Sequence, residues 1–209
     1  MHQKKPPNGG FFFALGQQLL FAFAEVARGI LHQLFQLGRV RDAVLCRVRV
    51  AAGAERLHLL LVGDGMSREA LQSLAHELHA GDAVTFYGSV PAADVPKFTA
   101  LADALLISLS DSPDLGLTVP GKLASYMAAG KPVLASMNGA GYTAVQESGG
   151  GLVSPACDQK ALAENMLALY GMTDAERAEL GRKAYAYYAA HYRRAELLKR
   201  LEEFTVEGK

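Results

Sequence analysis

From residue 57 onward, short apolar runs of strand length alternate with segments whose apolar residues recur every three or four positions, and few folds accommodate that alternation. Residues 57–62, apolar but for His58, read as a buried parallel strand closed by Gly63-Asp64-Gly65. Residues 67–80 then carry Ala70, Leu71, Leu74, Ala75 and Leu78 on one helical face, with Ser67 as the expected N-cap. The alternation continues with strands at 83–87, 104–109, 132–136 and 151–154. Helices are expected at 91–101, from Pro120 to Gly130, at 143–147, 160–170 and 174–192, and in a final segment to Phe204. Connections this short demand right-handed crossovers, so the expected fold is α/β: a doubly wound parallel sheet, Rossmann-like, over residues 57–209.

Residues 1–56 do not share the pattern and are expected to form a divergent, largely helical amino-terminal segment. Residues 11–37 are dense in Phe, Leu and Ala, but Gln17, Gln18, Glu25, Arg28, His32 and Gln33 break the run, which argues against a membrane span. Lys4, Lys5 and Ala22-Phe23-Ala24 resemble a secretory leader, although the interruptions favour an amphipathic core or interface helix.

Composition removes several function classes. Lys plus Arg and Asp plus Glu number 21 each, so no bulk positive field recruits nucleic acid or an anionic membrane surface. Phosphate binding must then be local. Cys46 and Cys157 lie far apart, and His76 and His79 have no third ligand, so neither a metal site nor a redox pair is expected. A reducing cytoplasm suits that cysteine usage.

Ligands of doubly wound sheets bind beyond the carboxyl ends of the strands, where helix starts present free amides. One candidate is Gly63-Asp64-Gly65, a tight turn that lacks the last glycine of a dinucleotide fingerprint because residue 68 is arginine. The other is Pro120-Gly121-Lys122, where two first-turn amides and an ammonium would face a diphosphate. Lys122 as an ordinary solvated lysine is the alternative.

Ser125-Tyr126-Met127-Ala128-Ala129-Gly130-Lys131-Pro132-Val133, followed by Gly139, Glu147-Ser148-Gly149 and Gly151-Leu152-Val153, resembles the donor half of retaining GT-B glycosyltransferases of the group 1, or family 4, type. Asp158 ahead of Leu162-Ala163 continues the likeness, which covers residues 57–170. The resemblance implies a nucleotide-sugar substrate, a UDP-sugar foremost, and no further cofactor. It implies the base near Gly88 and Val90, the diphosphate against Pro120 and Gly121, and the ribose near Ser125. Many members carry two glutamates eight positions apart where this chain has Leu117 and Ser125, so the carboxylate contacts to the ribose hydroxyls are not expected. No catalytic residue is assigned.

The resemblance also implies an acceptor-binding domain ahead of this one, which 56 residues cannot form, together with a Gly-Asn-x-Gly or Arg/Lys loop at the first strand. Arg39, Arg41, Arg47 and Arg49 are present without that pattern. The expectation is therefore a single GT-B half from a truncated or frame-altered reading of a longer gene, acting in polysaccharide or glycoconjugate synthesis in the cytoplasm. A lipid-linked acceptor would place it peripherally at the inner membrane face. The alternatives are a non-catalytic nucleotide-sugar-binding subunit of a separate acceptor-domain chain and, less favoured, an epimerase of nucleotide sugars.

Overall fold

The computed structural model describes residues 44–51, 54–65, 68–77 and 83–207. The expected helix at 11–37, the Ser67 cap and His79 lie outside the described residues. Six strands form one sheet: β1 Val44–Ala51, β2 Ala54–Val62, β3 Val84–Gly88, β4 Ala104–Ser108, β5 Val133–Ser136 and β6 Gly151–Ser154. Among the described residues eight helices accompany them: α1 Arg68–Glu77, α2 Val95–Leu101, α3 Pro113–Gly116, α4 Gly121–Ala128, α5 Ala140–Ser148, α6 Gln159–Gly171, α7 Asp174–His191 and α8 Arg194–Glu207. A 3-10 turn at Ala92–Asp94 leads into α2.

Alternate residues of the central strands face opposite layers, and both layers are apolar. Ala104 and Leu106 of β4 pack with Leu59, Leu61, Leu71, Ala75, Leu134, Leu162 and Leu169, under α1 and α6. Leu105 and Ile107 face the other way, onto Leu123, Tyr126, Met127, Val145 and Ala184, under α4, α5 and α7. A strand buried on both faces has no polar alternation, which is why residues 104–107 read as a continuous apolar run. α7 seats closely on the turn after α4, since a Cβ at Gly181 would fall 2.1 Å from the carbonyl oxygen of Gly130.

The strand order is β3-β2-β1-β4-β5-β6. β2 pairs parallel with β3, and β4, β5 and β6 pair parallel in turn. The parallel sheet expected over residues 57–209 holds for β2 to β6, but it takes in one strand from the amino-terminal segment, β1, which runs antiparallel to both β2 and β4. The reason is the length of the link. β1 ends at Ala51 and β2 starts at Ala54, and two residues can only reverse the chain, whereas a parallel return needs a dozen or more. Residues 44–51, placed by the sequence pattern in the helical amino-terminal segment, are thus a sheet strand in the middle of the domain.

Helix ends follow local chemistry. The Asp158 carboxylate accepts from the Ala161 amide at 2.9 Å and caps α6. Thr173 and Glu176 form a reciprocal capping box at the start of α7. Arg177, 6% exposed, donates to the carbonyls of Leu169 and Met172 and pairs with Asp174, so the end of α6 and the start of α7 share one buried guanidinium.

Candidate functional site

Five strands share one direction, so the carboxyl ends of β2 to β6, β1 excepted, lie along one edge of the sheet. β1 presents its beginning there instead, with Val44 opposite both Leu61 and Leu106. Arg47 and Arg49 are therefore strand residues paired with His58 and Arg56, away from that edge.

Two groups of sequence-selected residues stand at this edge. In the first, the Gly63 amide donates to the Gly88 carbonyl at 2.8 Å, which joins the turns after β2 and β3. The Asp64 carboxylate accepts from the Gly65 amide at 2.9 Å, and both residues are exposed. Val90, half-buried, packs against the layer that contains Val62 and Ile107. Arg68, registered in the sequence only as a missing glycine, belongs to this group. Its guanidinium lies 3.5 Å from Asp64 and donates to the Phe86 carbonyl at 3.4 Å. Gly88 holds φ +91, and a Cβ there would lie 3.1 Å from Arg68 Nη1. An arginine at the start of a helix opposite a strand end was the available signal.

The second group opens α4. Pro120 is its N-cap, in extended backbone, and contributes no side-chain cap. The Leu123 amide turns back to the Pro120 carbonyl at 2.8 Å. The amides of Gly121 and Lys122 precede it, at the positive end of the helix dipole. Gly121 is exposed, with nothing within 4 Å of a Cβ placed on it. Lys122 is half-buried on the same turn. Ser125 is exposed, and its hydroxyl donates to the Gly121 carbonyl at 3.5 Å, a back-bond within the helix. Leu117, just before, is 83% exposed.

A third set, not foreseen as site residues, lies beside the second group. Asn138 follows β5; its amide nitrogen donates to Asp111 at 2.9 Å, and its oxygen accepts from the Ala156 amide at 3.0 Å. A Cβ at Gly139 would fall 1.9 Å from the Gly116 carbonyl oxygen, and one at Gly141 would fall 2.9 Å from Pro120 Cδ. An amide side chain directly after a buried strand, followed by glycine, was the only trace of this set in the sequence. Among the described residues, no three His, Cys, Asp or Glu side chains gather as a metal ion would require.

The shifted titrations lie elsewhere. Tyr187 on α7 is pushed up to about 12 by burial and by its hydrogen bond to Glu147 at 3.1 Å. Burial also raises its neighbour Tyr192. Glu176 is lowered by the Thr173 amide it accepts from.

The sequence of residues 35–172 matches the family described as Glycosyl transferases group 1. The chain belongs to this glycosyltransferase family. The matched span begins ahead of β1, so the reversed strand lies within the family region. A GDP-mannose-dependent alpha-(1-6)-phosphatidylinositol monomannoside mannosyltransferase of Mycobacterium tuberculosis is 31% identical over 150 residues, 70% of this chain and 38% of that relative. Among solved structures, sucrose-phosphate synthase from Thermosynechococcus elongatus superimposes with a TM-score of 0.64 at 21% identity, over 86% of this chain and 42% of the other. HepE of Anabaena, solved in complex with UDP, gives 0.60 at 19% identity, over 71% and 40%. These likenesses establish an α/β, Rossmann-like fold of the GT-B type. The chain spans about two fifths of the length of these relatives. No described helix is long and apolar enough to cross a membrane.

Proposed function

We propose that this chain is the donor-binding domain of a glycosyltransferase and takes a nucleotide-diphosphate sugar, with UDP as the nucleotide. One observation carries the reading: α4 begins at the carboxyl end of the sheet without a side-chain cap, with Gly121 open and Lys122 on its first turn. An anion suits such a start, because first-turn amides and the helix dipole act together there. β2 and β4 flank a single strand, so their carboxyl ends stand about 10 Å apart at strand spacing. A nucleoside diphosphate bridges that gap with its base at Gly63, Asp64, Gly65, Gly88 and Val90. Its phosphates then rest against Pro120, Gly121 and Lys122, and its ribose rests near Ser125.

In transfer, the bond from the sugar's anomeric carbon to the diphosphate breaks and negative charge grows on the departing oxygen. The amides of Gly121 and Lys122 and the Lys122 ammonium stabilise that charge. The acceptor comes from a second domain, and the setting is polysaccharide or glycoconjugate synthesis on the cytoplasmic side. HepE was solved with UDP, whereas the mycobacterial relative uses GDP-mannose, so GDP is the competitor to test. Calorimetric titration of the folded protein with UDP, GDP and UMP decides. UDP is expected to bind more tightly than GDP and UMP; no heat from any diphosphate at millimolar concentration overturns the reading.

A second reading, a binding subunit without catalysis of its own, draws support from Leu117 and Ser125. Neither supplies a carboxylate to the sugar, and the Ser125 hydroxyl is turned to its own helix. Transfer that appears only on adding a separate acceptor-domain chain would select this reading.

A further inference from the structure

We propose that Asn138 is a positioning residue for the donor site: it ties the loop after β4 to the loops after β5 and β6, and so sets where the start of α4 stands. The proposal rests on the nucleotide-sugar reading above. Asn138 uses both ends of its amide on partners far away in sequence. Its nitrogen donates to Asp111, 27 residues back, and its oxygen accepts from the amide of Ala156, 18 residues on. Neither end can be replaced by an acid or an amine without losing one of the two contacts.

The segment 111–120 then runs beside 138–141 with three fixed points. Asp111 meets Asn138, Gly116 lies against Gly139, and Pro120 lies against Gly141. The last two are backbone and ring contacts that set distance, not height. The hydrogen bonds of Asn138 are directional, so they fix how far the segment slides along its neighbour. Pro120 is the N-cap of α4, so a slide at Asp111 moves the amides of Gly121 and Lys122 away from the phosphate they would hold. Asn138 and Asp111 are both exposed, so water can replace the bond in the unliganded protein. The side chain therefore contributes little to global stability and much to loop order.

The test is a donor–acceptor swap read by UDP titration. Asn138→Ala loses both contacts and is expected to weaken UDP binding about tenfold, the usual scale for residues that orient a ligand-binding group, with the melting temperature nearly unchanged. Asn138→Asp places two carboxylates together and weakens it at least as much. The double variant Asp111→Asn, Asn138→Asp restores one donor to one acceptor and still accepts from Ala156, so it is expected to recover most of the affinity. A merely structural residue would not be rescued by the exchange. Wild-type affinity in Asn138→Ala, or a swap no better than Asn138→Asp alone, overturns the proposal and leaves the donor reading intact. Absence of any diphosphate binding by the wild type overturns the donor reading. Amide exchange then judges the loop tie separately: unchanged exchange at Ala156 in Asn138→Ala removes it.

Discussion

The backbone of Gly139 is pressed onto the backbone of Gly116, so that a Cβ at 139 would stand 1.9 Å from the Gly116 oxygen and 2.6 Å from its Cα. Gly139 also holds φ +71 and ψ −142, a conformation that L side chains rarely adopt. The reverse contact is ordinary, because a Cβ on Gly116 would meet only the Gly139 Cα at 4.0 Å. Gly139→Ala is therefore expected to cost about 3 kcal/mol or more, from strained backbone and overlap together. Gly116→Ala should change stability by about 1 kcal/mol or less. Urea unfolding of the two variants checks the asymmetry, and equal costs would contradict the packing.

Lys122 bears the only full charge on the first turn of α4. Removing a charge-assisted contact to phosphate weakens binding by about 10- to 100-fold. Lys122→Ala is accordingly expected to lower UDP affinity within that range and to flatten its dependence on salt. Gly121→Ala keeps the fold, since no atom lies within 4 Å of the new methyl, but places that methyl at the mouth of the site. Calorimetry at two ionic strengths separates the charge from the steric effect.

Cys157 holds φ +62 in the turn between β6 and α6, where glycine would sit without strain. Cys157→Gly should raise stability by about 0.5–1 kcal/mol, the usual relief at a left-handed position. The thiol is exposed, so wild type should react fully with a water-soluble disulfide reagent while folded. A destabilised glycine variant in denaturant titration would show that the side chain matters more than the backbone.

Two groups set opposite edges of the pH profile. The Glu176 carboxylate is held below its ordinary value of 4.5 by the Thr173 amide, so its contribution is present above that value and fades as pH falls through the lowered one. Tyr187 is raised from 10.0 to about 12, so its contribution is complete below pH 10 and fades as pH climbs toward 12. Thr173→Ala should cost about 1 kcal/mol at neutral pH and less in acid, as the capping box is already weakened there. Tyr187→Phe should reduce the alkaline loss, the remainder coming from Tyr192, which burial also raises. Circular dichroism melts across pH 3–11 on wild type and both variants, at about one-unit steps, provide the check.

Most strands and helices downstream of residue 57 were legible because a strand buried on two faces and a helix buried on one leave distinct apolar periods. β1 was not. Its alternation of Val44, Cys46, Val48 and Val50 with Arg47 and Arg49 fits a strand, yet it follows a segment of another character and was read with that segment. The donor-site candidates were legible for a different reason. Gly63-Asp64-Gly65 and Pro120-Gly121-Lys122 are local signals, each complete within a few residues.

The sequence by itself determined the α/β alternation, the two apolar layers and the helix start at Pro120, because each depends on neighbours within about two turns of helix or one strand. Only the tertiary structure decided the direction of β1, the approach of Arg68 to Gly88, and the tie from Asn138 to Asp111 and Ala156. Those contacts join residues 18 to 27 positions apart, or strands whose pairing follows from the whole sheet, and no local period encodes them.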